Sequence, residues 1–560
     1  MTPDGFADAP ELLFLRRKKF KAAAAFCSLA GGMLYAAALP PLNWSFAVFS
    51  ALLPLFYVPV YFSSWKMRIF CGWLWGVGWS VFAFNFLREI HPAVPYMLAP
   101  VISVWPAVFT FCAGFFAGKL LRRQDITSPF FLEYPLTKQL LYLLSAGALF
   151  TLLEWTRYYL FVWNDLSVTC WKLPELMQIA RFTGRYGVTL LITLVSGALF
   201  ALIFFRKKRF LTAALLLIYP AISLVYGIWR VNTPAVYRDP VEWKCALIQG
   251  DLPQQRRPTH SDVVNSIIVY ARASLPFEGK VDTVLWPECA VPIPYRAEHL
   301  LAAEFRKVIA RFRTPLLMGA LDYTPEGLST NSALLIYPGG AVAAKYDKYH
   351  RVPYGEYVPF RSWLPESWVR AFDMGRDLAP GKSLMPLKIK EGVFSGTAVC
   401  YEGVFSYVAN AFARNKANVL AALSNDVWYP ESSEPEQHLA NAVMRCVETG
   451  LPMVRCGNNG GSGVVTSTGV FTQYVGTAAP RPELLREAAA GVVSVTLERT
   501  PEITVAVRYE NWLILLLAAL LLAETIWLFP QRRQKKSSPA KVQGLSAKPD
   551  VLRRSLFSVE

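Results

Sequence analysis

The sequence predicts an α-helical membrane bundle of eight transmembrane helices that carries an α/β domain on the extracytoplasmic side. Three observations lead there. Apolar runs of about 20 residues, the length that crosses a bilayer, fall at roughly 20–39, 46–63, 69–87, 97–119, 139–160, 186–205, 210–229 and 511–529. Clusters of Lys and Arg flank alternate ends of these runs, as cytoplasmic connections do. Between the seventh and eighth runs, short β-prone segments alternate with helical patterns, which is the signature of helices layered on a sheet.

The elements follow in chain order. The cluster Arg16-Arg17-Lys18-Lys19 puts the N-terminus inside. Inside connections should then carry Lys66 and Arg68, next Arg122, Arg123 and Lys138, next Arg206–Arg209, and last Arg532–Lys536, and all are basic. The opposite connections are poorer: Leu39–Trp44 has no positive charge and the one after the third run has Arg88. This alternation places 231–510 outside and both termini in the cytoplasm. The expected domains are a membrane domain at 1–230 with seven transmembrane helices, a catalytic domain at 231–510, a C-terminal transmembrane helix at 511–530, and a basic, disordered cytoplasmic tail at 531–560. The first apolar run lacks a small-residue cleavage site, so no cleavable signal peptide is expected. Residues 161–185, with Trp163, Asn164, Asp165, Trp171 and Lys172, are too polar to span. They read either as a segment lying at the outer interface or as a long loop.

Composition agrees with a hybrid. The chain is 54% hydrophobic with a mean hydropathy of +0.30, too apolar for an ordinary soluble enzyme. Its net charge of +17 sits in clusters beside apolar runs, so it reads as topology and not as a nucleic-acid footprint. The nine cysteines are irregularly spaced with no CxxC pair, and the five histidines show no ligand spacing. Neither a metal nor a cofactor is expected.

In the outer region the strand candidates are Lys244–Ile248, Thr283–Trp286, Pro315–Gly319, Ser332–Tyr337, Ala341–Lys345, Gly396–Cys400, Val419–Leu423, Pro452–Cys456, Gly463–Thr466 and Gly491–Val495. Helices are expected near 261–274, 297–312, 404–415 and 434–449.

Three polar residues fall where strands should end: Glu288, Lys348 and Cys400. The run Ser395–Val399 climbs to Cys400 and helix-compatible sequence follows at once, a strand–turn–helix that suits a nucleophile. Together the three form a set for acyl transfer. A thiol attacks a carbonyl, a carboxylate takes and returns the proton, and an ammonium stabilises thiolate and oxyanion.

The Trp-Pro-Glu run at 286–288, the Lys-x-His-x-Val-Pro-x-Gly-Glu run at 348–356 and the Cys-Tyr-Glu run at 400–402, in that order, resemble the carbon–nitrogen hydrolase (nitrilase) superfamily. With seven spans before the domain and one after, the chain is similar to that superfamily's membrane-embedded branch of lipoprotein acyltransferases. The resemblance implies an αββα sandwich with a Glu–Lys–Cys triad. Glu288 would be the proton acceptor, Lys348 the charge and oxyanion stabiliser and Cys400 the nucleophile. Glu356 would orient the lysine, and Tyr401 and Glu402 match the pair after the nucleophile. Asn425, Asp426, Trp428, Glu436-Gln437-His438, Arg445, Glu448, Asn458 and Asn459 fall in segments similar to the family's.

The implied reaction moves an acyl chain from a phospholipid donor, through a Cys400 thioester, to the amine of a diacylated apolipoprotein's N-terminal cysteine. The implied setting is the bacterial inner membrane, with a periplasmic catalytic domain and a monomeric protein. Trp363 and Trp368, in the aromatic stretch after Glu356, and Trp428 are the candidates for lipid contact.

Departures are Pro258, near a place where the family often has tryptophan, together with Cys446, Leu451 and Gly460-Gly461. The alternative is a membrane-anchored carbon–nitrogen hydrolase, an amidase, which would release ammonia from small amides without phospholipid. A non-catalytic receptor or scaffold would keep its function in Cys400→Ala. A transporter would need intramembrane charge, to which only Glu154 and Arg157 contribute.

Overall fold

Every one of the eight apolar runs overlaps a helix, but the helices are unequal. In the computed structural model, residues 10–121, 132–255, 257–371, 377–429, 432–476 and 487–529 are described. Arg122, Arg123, the 532–536 cluster and the expected tail at 531–560 lie outside them. Among the described residues, four helical segments are long and apolar enough to cross a membrane: Lys18–Ala38, Val94–Leu120, Leu136–Tyr158 and Arg185–Phe204. A fifth arises if Arg209–Leu216 and Ile218–Asn232, bent by 42°, count as one span. Ser45–Tyr61 and Trp512–Leu528 are apolar but shorter, and Trp65–Ala83 is also helical. The break within Ser45–Tyr61 falls at Leu52, just before Pro54, where proline removes a backbone donor.

Small residues let these helices meet backbone to backbone. A Cβ on Gly32 would lie 1.9 Å from the Trp75 carbonyl oxygen, so the first helix and Trp65–Ala83 tolerate nothing larger there. Aromatic rings fill the seam: Tyr35 stacks between Trp75 and Trp79 at centroid distances of 5.5 and 5.1 Å.

Beyond the membrane part the chain forms two six-stranded sheets. In the first, the strands lie in the order Ala489–Glu498, Pro240–Gln249, Thr283–Pro294, Leu316–Tyr323, Ser329–Ile336 and Val342–Asp347. In the second the order is Phe471–Thr472, Gly463–Val465, Met453–Gly457, Val419–Ser424, Val393–Val399 and Leu387–Lys390. Val393–Val399, Val419–Ser424 and Met453–Gly457 run parallel and are buried almost throughout, as strands covered on both faces must be. The sheets face each other: the Cys456 thiol lies 3.6 and 3.4 Å from the carbonyl oxygens of Ile248 and Leu285 across the gap. Helices His260–Ser274 and Leu300–Ala310 pack Tyr270 and Phe305 on the first sheet. Ser406–Arg414 and Glu434–Thr449 cover the second. This is a nitrilase-like layered fold.

Each of the ten strand candidates overlaps a strand. Leu387–Lys390 and Phe471–Thr472, both at sheet edges, were not among them.

The segment 161–185 is neither a loose loop nor an exposed interfacial ribbon. Residues 162–171 are buried without interruption, because its polar groups are used internally. Arg157 donates to the carbonyls of Phe161 and Trp163, both at 3.0 Å, and Arg185 pairs with Asp165 at 2.7 Å.

Candidate active site

Each of the three polar residues singled out in the sequence stands at an abrupt change of backbone direction. Glu288 lies in Thr283–Pro294 where the pairing with the next strand slips between Trp286 and Val291. That neighbour approaches closely: a Cβ on Gly319 would sit 2.4 Å from the Glu288 Cα, so glycine is needed there. Lys348 follows Val342–Asp347 directly, and its N–H donates to the Asn331 carbonyl at 2.8 Å. Cys400 follows Val393–Val399 with φ of +53°. A left-handed cysteine costs about 1–3 kcal/mol and persists only where its surroundings hold it.

The side chains converge. Lys348 Nζ lies 3.3 Å from Glu288 Oε1 and 3.0 Å from Glu356 Oε1. Asn331 Nδ2 donates to the same two oxygens, each at 2.7 Å. The Cys400 thiol is within hydrogen-bonding reach of the Glu288 carboxylate. Lys348 is 1% exposed, with Glu288 and Glu356 at 6% and 8%, so the charges meet in a dry setting where each is strong.

Burial, reinforced by Glu288, pushes the Cys400 thiol well above its ordinary range, and Lys348 only partly opposes this. Burial disfavours the Lys348 ammonium too, but Glu356, Glu288 and the Cys400 sulfur outweigh it and hold the amine well above its usual value. Both directions favour a protonated thiol beside an ammonium. Cys289, next in the chain and also left-handed at φ +48°, is pushed up by burial, Glu288 and Glu356, and Lys348 only partly opposes this. All nine cysteines are free thiols.

Glu402 ties the lysine loop to the turn at Cys400. Its Oε1 accepts from Tyr346 Oη, Tyr349 N and His350 N at 2.7–2.9 Å, and its Oε2 accepts from Val399 N at 2.9 Å. Burial pushes this carboxyl up to about 7 against the pull of those donors. Tyr401 stacks on Trp163 of the membrane part, with centroids 6.0 Å apart and planes 24° from parallel.

Trp163 belongs to a larger junction. Gln437, on helix Glu434–Thr449, accepts from Trp163 Nε1 and Asn164 Nδ2 at 2.9 and 2.8 Å and donates to the carbonyls of Pro40 and Ala83 at 3.2 and 3.0 Å. Glu436 accepts from Asn43 at 2.8 Å and pairs with Lys172 at 3.3 Å. Three membrane-side connections thus dock on one helix of the catalytic fold.

Of the lipid-contact candidates, Trp363 is 82% exposed and stacks on exposed Phe360 at 5.4 Å. Trp428, on the turn after Val419–Ser424, is 42% exposed. Trp368 lies on Glu366–Ala371, and its side chain is outside the described residues.

Asn331 escaped the sequence reading. It sits in the polar first half of Ser329–Ile336, among Ser329, Thr330 and Ser332, and carries no signal of its own. Among the described residues, one group of ligand-type atoms comes together, on Cys400, Asp426 and His438, all within 4.8 Å of one another. Both ring nitrogens of His438 already face partners, Asp426 Oδ1 at 2.8 Å and the Cys400 carbonyl at 3.0 Å, so the group is built as a hydrogen-bond chain.

Comparison with known proteins bears on these features. Residues 244–479 match the carbon-nitrogen hydrolase family model, and residues 31–198 match that of the apolipoprotein N-acyltransferase N-terminal domain. The apolipoprotein N-acyltransferase of Geobacter metallireducens is 30% identical over 387 residues, covering 67% of this chain and 70% of its own. That of Haemophilus ducreyi is 26% identical over 475 residues, covering 82% and 86%. Among solved structures, a CN-hydrolase superfamily protein from Xanthomonas campestris aligns at 17% identity with a TM-score of 0.34, covering 53% of this chain and 99% of its own.

Proposed function

The chain belongs to the apolipoprotein N-acyltransferase family, and from that premise we propose how it works. It is a multi-pass membrane acyltransferase of lipoprotein maturation, with lipid and lipoprotein substrates. The acyl donor is a phospholipid and the acceptor is the α-amine of a diacylglyceryl-cysteine apolipoprotein. Glu288, Lys348 and Cys400 carry the reaction, and Glu356 holds the lysine.

In the first half-reaction a phospholipid ester carbonyl meets Cys400. Glu288 takes the thiol proton as sulfur attacks, and the Lys348 ammonium stabilises the oxyanion. The C–O bond breaks, Glu288 returns the proton to the glycerol oxygen, and a lysophospholipid leaves a thioester behind. In the second half the amine attacks the thioester. Glu288 accepts a proton from the nitrogen, the C–S bond breaks, and the thiol is restored as the amide departs. Excluding water protects the thioester, and exposed Phe360, Trp363 and Trp428 offer lipid chains an apolar approach. The observation that supports this most is the contact of Lys348 with both carboxylates, one of which is within reach of the Cys400 thiol.

The proposed setting is the bacterial inner membrane, with eight spans, a periplasmic domain at 231–510, cytoplasmic termini and a monomer. The amidase alternative has no use for the matched N-terminal acyltransferase domain. The test is mass spectrometry of Cys400 after incubation with phospholipid alone. An acyl adduct that a diacylated lipopeptide clears is expected. An unmodified Cys400, with ammonia released from small amides instead, refutes the reading.

A further inference from the structure

We propose that His438 is a positioning residue for acyl transfer: held by Asp426, its ring donates from Nε2 to the Cys400 carbonyl and thereby fixes the direction of the Tyr401 N–H beside the reacting thiol. This deepens, and rests on, the acyl-transfer reading above.

The backbone comes first. Cys400 is left-handed, a conformation that needs neighbours to over-determine it. The residue before it is held by Glu402, which accepts from Val399 N, and further along Arg445 donates to the Val404 carbonyl. The carbonyl of Cys400 itself is held by His438 Nε2 at 3.0 Å, from a helix 38 residues further along the chain. A trans peptide is planar, with its C=O and N–H pointing opposite ways. Fixing the Cys400 oxygen on the helix side therefore aims the Tyr401 N–H away from that helix. An N–H held in this way, next to the attacking sulfur, is suited to meet an oxyanion.

The protonation follows from the partners. A main-chain carbonyl can only accept, so Nε2 carries a hydrogen. Asp426 Oδ1, 2.8 Å from Nδ1, belongs to a carboxylate that also pairs with Arg455 through Oδ2. Burial opposes that carboxylate's charge, yet His438 and Arg455 hold it below its ordinary range. It accepts as well, so the ring faces an acceptor at each nitrogen. Glu434 on the same helix is 3.7 Å from Nδ1, and burial with Asp426 pushes its carboxyl well above the ordinary range. Trp163 from the membrane side lies 5.7 Å away, centroid to centroid.

The test is single-turnover acylation of Cys400 by phospholipid in detergent, followed by mass spectrometry on wild type, His438→Ala and His438→Gln, with the folded fraction measured alongside. His438→Ala should lower the saturating rate about 100-fold while the half-saturating phospholipid concentration changes by less than about twofold, because one donor to an oxyanion is worth that order of rate. His438→Gln keeps an N–H for the carbonyl and should recover about tenfold of the loss. The His438→Gln variant, which keeps an N–H for the carbonyl, decides the matter even if the alanine variant fails to fold. Variants that acylate at the wild-type rate per folded molecule, or a His438→Gln variant no faster than a folded His438→Ala, overturn the inference alone. Wild type that forms no adduct overturns the acyl-transfer reading and this inference with it.

Discussion

Replacing Lys348 by methionine keeps the side chain's length and apolar stem but deletes its charge. The lysine is 1% exposed and sits 3.3 and 3.0 Å from two carboxylate oxygens. Without it, Glu288 and Glu356 are left with neutral donors, Asn331 Nδ2 shared between them and Val352 N on Glu356. Breaking a buried ion pair from one side costs about 3–5 kcal/mol, and uptake of a proton by one carboxylate caps the loss. Under the proposed mechanism, losing the cation assigned to the oxyanion should slow Cys400 acylation by at least about 100-fold. The double variant Lys348→Met/Glu356→Gln removes the orphaned charge. It should recover most of the stability and none of the activity. Thermal unfolding in detergent and acyl-adduct mass spectrometry read the two effects separately. If Lys348→Met acylates within tenfold of wild type, or if the double variant is no more stable than the single one, the electrostatic account of the site is wrong.

Other outcomes follow from the same geometry. Because Glu288 helps hold the Cys400 thiol in its protonated form, iodoacetamide should label Cys400 faster in Glu288→Gln than in wild type at pH 8, and wild-type labelling should keep climbing above pH 9; the reverse order in a peptide-resolved assay refutes this. Burial, with Lys348 adding to it, pushes His350 down to about 4 from 6.5. Between those values the unfolded chain holds a proton there that the folded chain does not, so stability falls as pH falls through the window, by up to about 3 kcal/mol. A His350→Gln variant should lack that part of the acid sensitivity in pH-dependent unfolding, and an unchanged profile would count against it. Gln437→Ala strips partners from Trp163, Asn164, Pro40 and Ala83 and should cost about 2–4 kcal/mol, at roughly 1 kcal/mol for each buried group. An unfolding midpoint equal to wild type would show that the junction contributes nothing.

Much of the site could be read from the sequence because its parts sit where short-range patterns change. Trp-Pro-Glu closes an apolar run, the lysine motif opens a loop, and small residues climb to Cys400. Those are local signals, and Glu288, Lys348 and Glu356 do meet within hydrogen-bonding distance of one another. What stayed hidden is what contact alone reveals. Asn331 bridges two carboxylates from inside a strand, and nothing nearby in the chain marks it. His438 and Cys400 are 38 residues apart, so the bond between a ring and a carbonyl leaves no pattern. Leu387–Lys390 and Phe471–Thr472 are short and lie at sheet edges, where half the usual pairing is missing and periodicity is weak. The polar stretch at 161–185 misleads for the opposite reason. Its charges suggest water, but Asp165 and Arg185 satisfy each other out of its reach.

Helix Glu434–Thr449 is buried at all sixteen positions, although it stands at the outer surface of the sandwich. The membrane-side connections supply the cover that a freestanding relative would have to replace with solvent-compatible side chains. Cutting the chain near residue 231 to obtain a secreted, crystallisable enzyme would bare Gln437, Asn441 and Glu448 and lift Trp163 off Tyr401. The lipid-embedded portion is therefore a structural part of the reaction centre as well as its tether. Attempts to graft this catalytic fold onto another anchor would have to carry residues 39–44, 83–86 and 161–185 along with it.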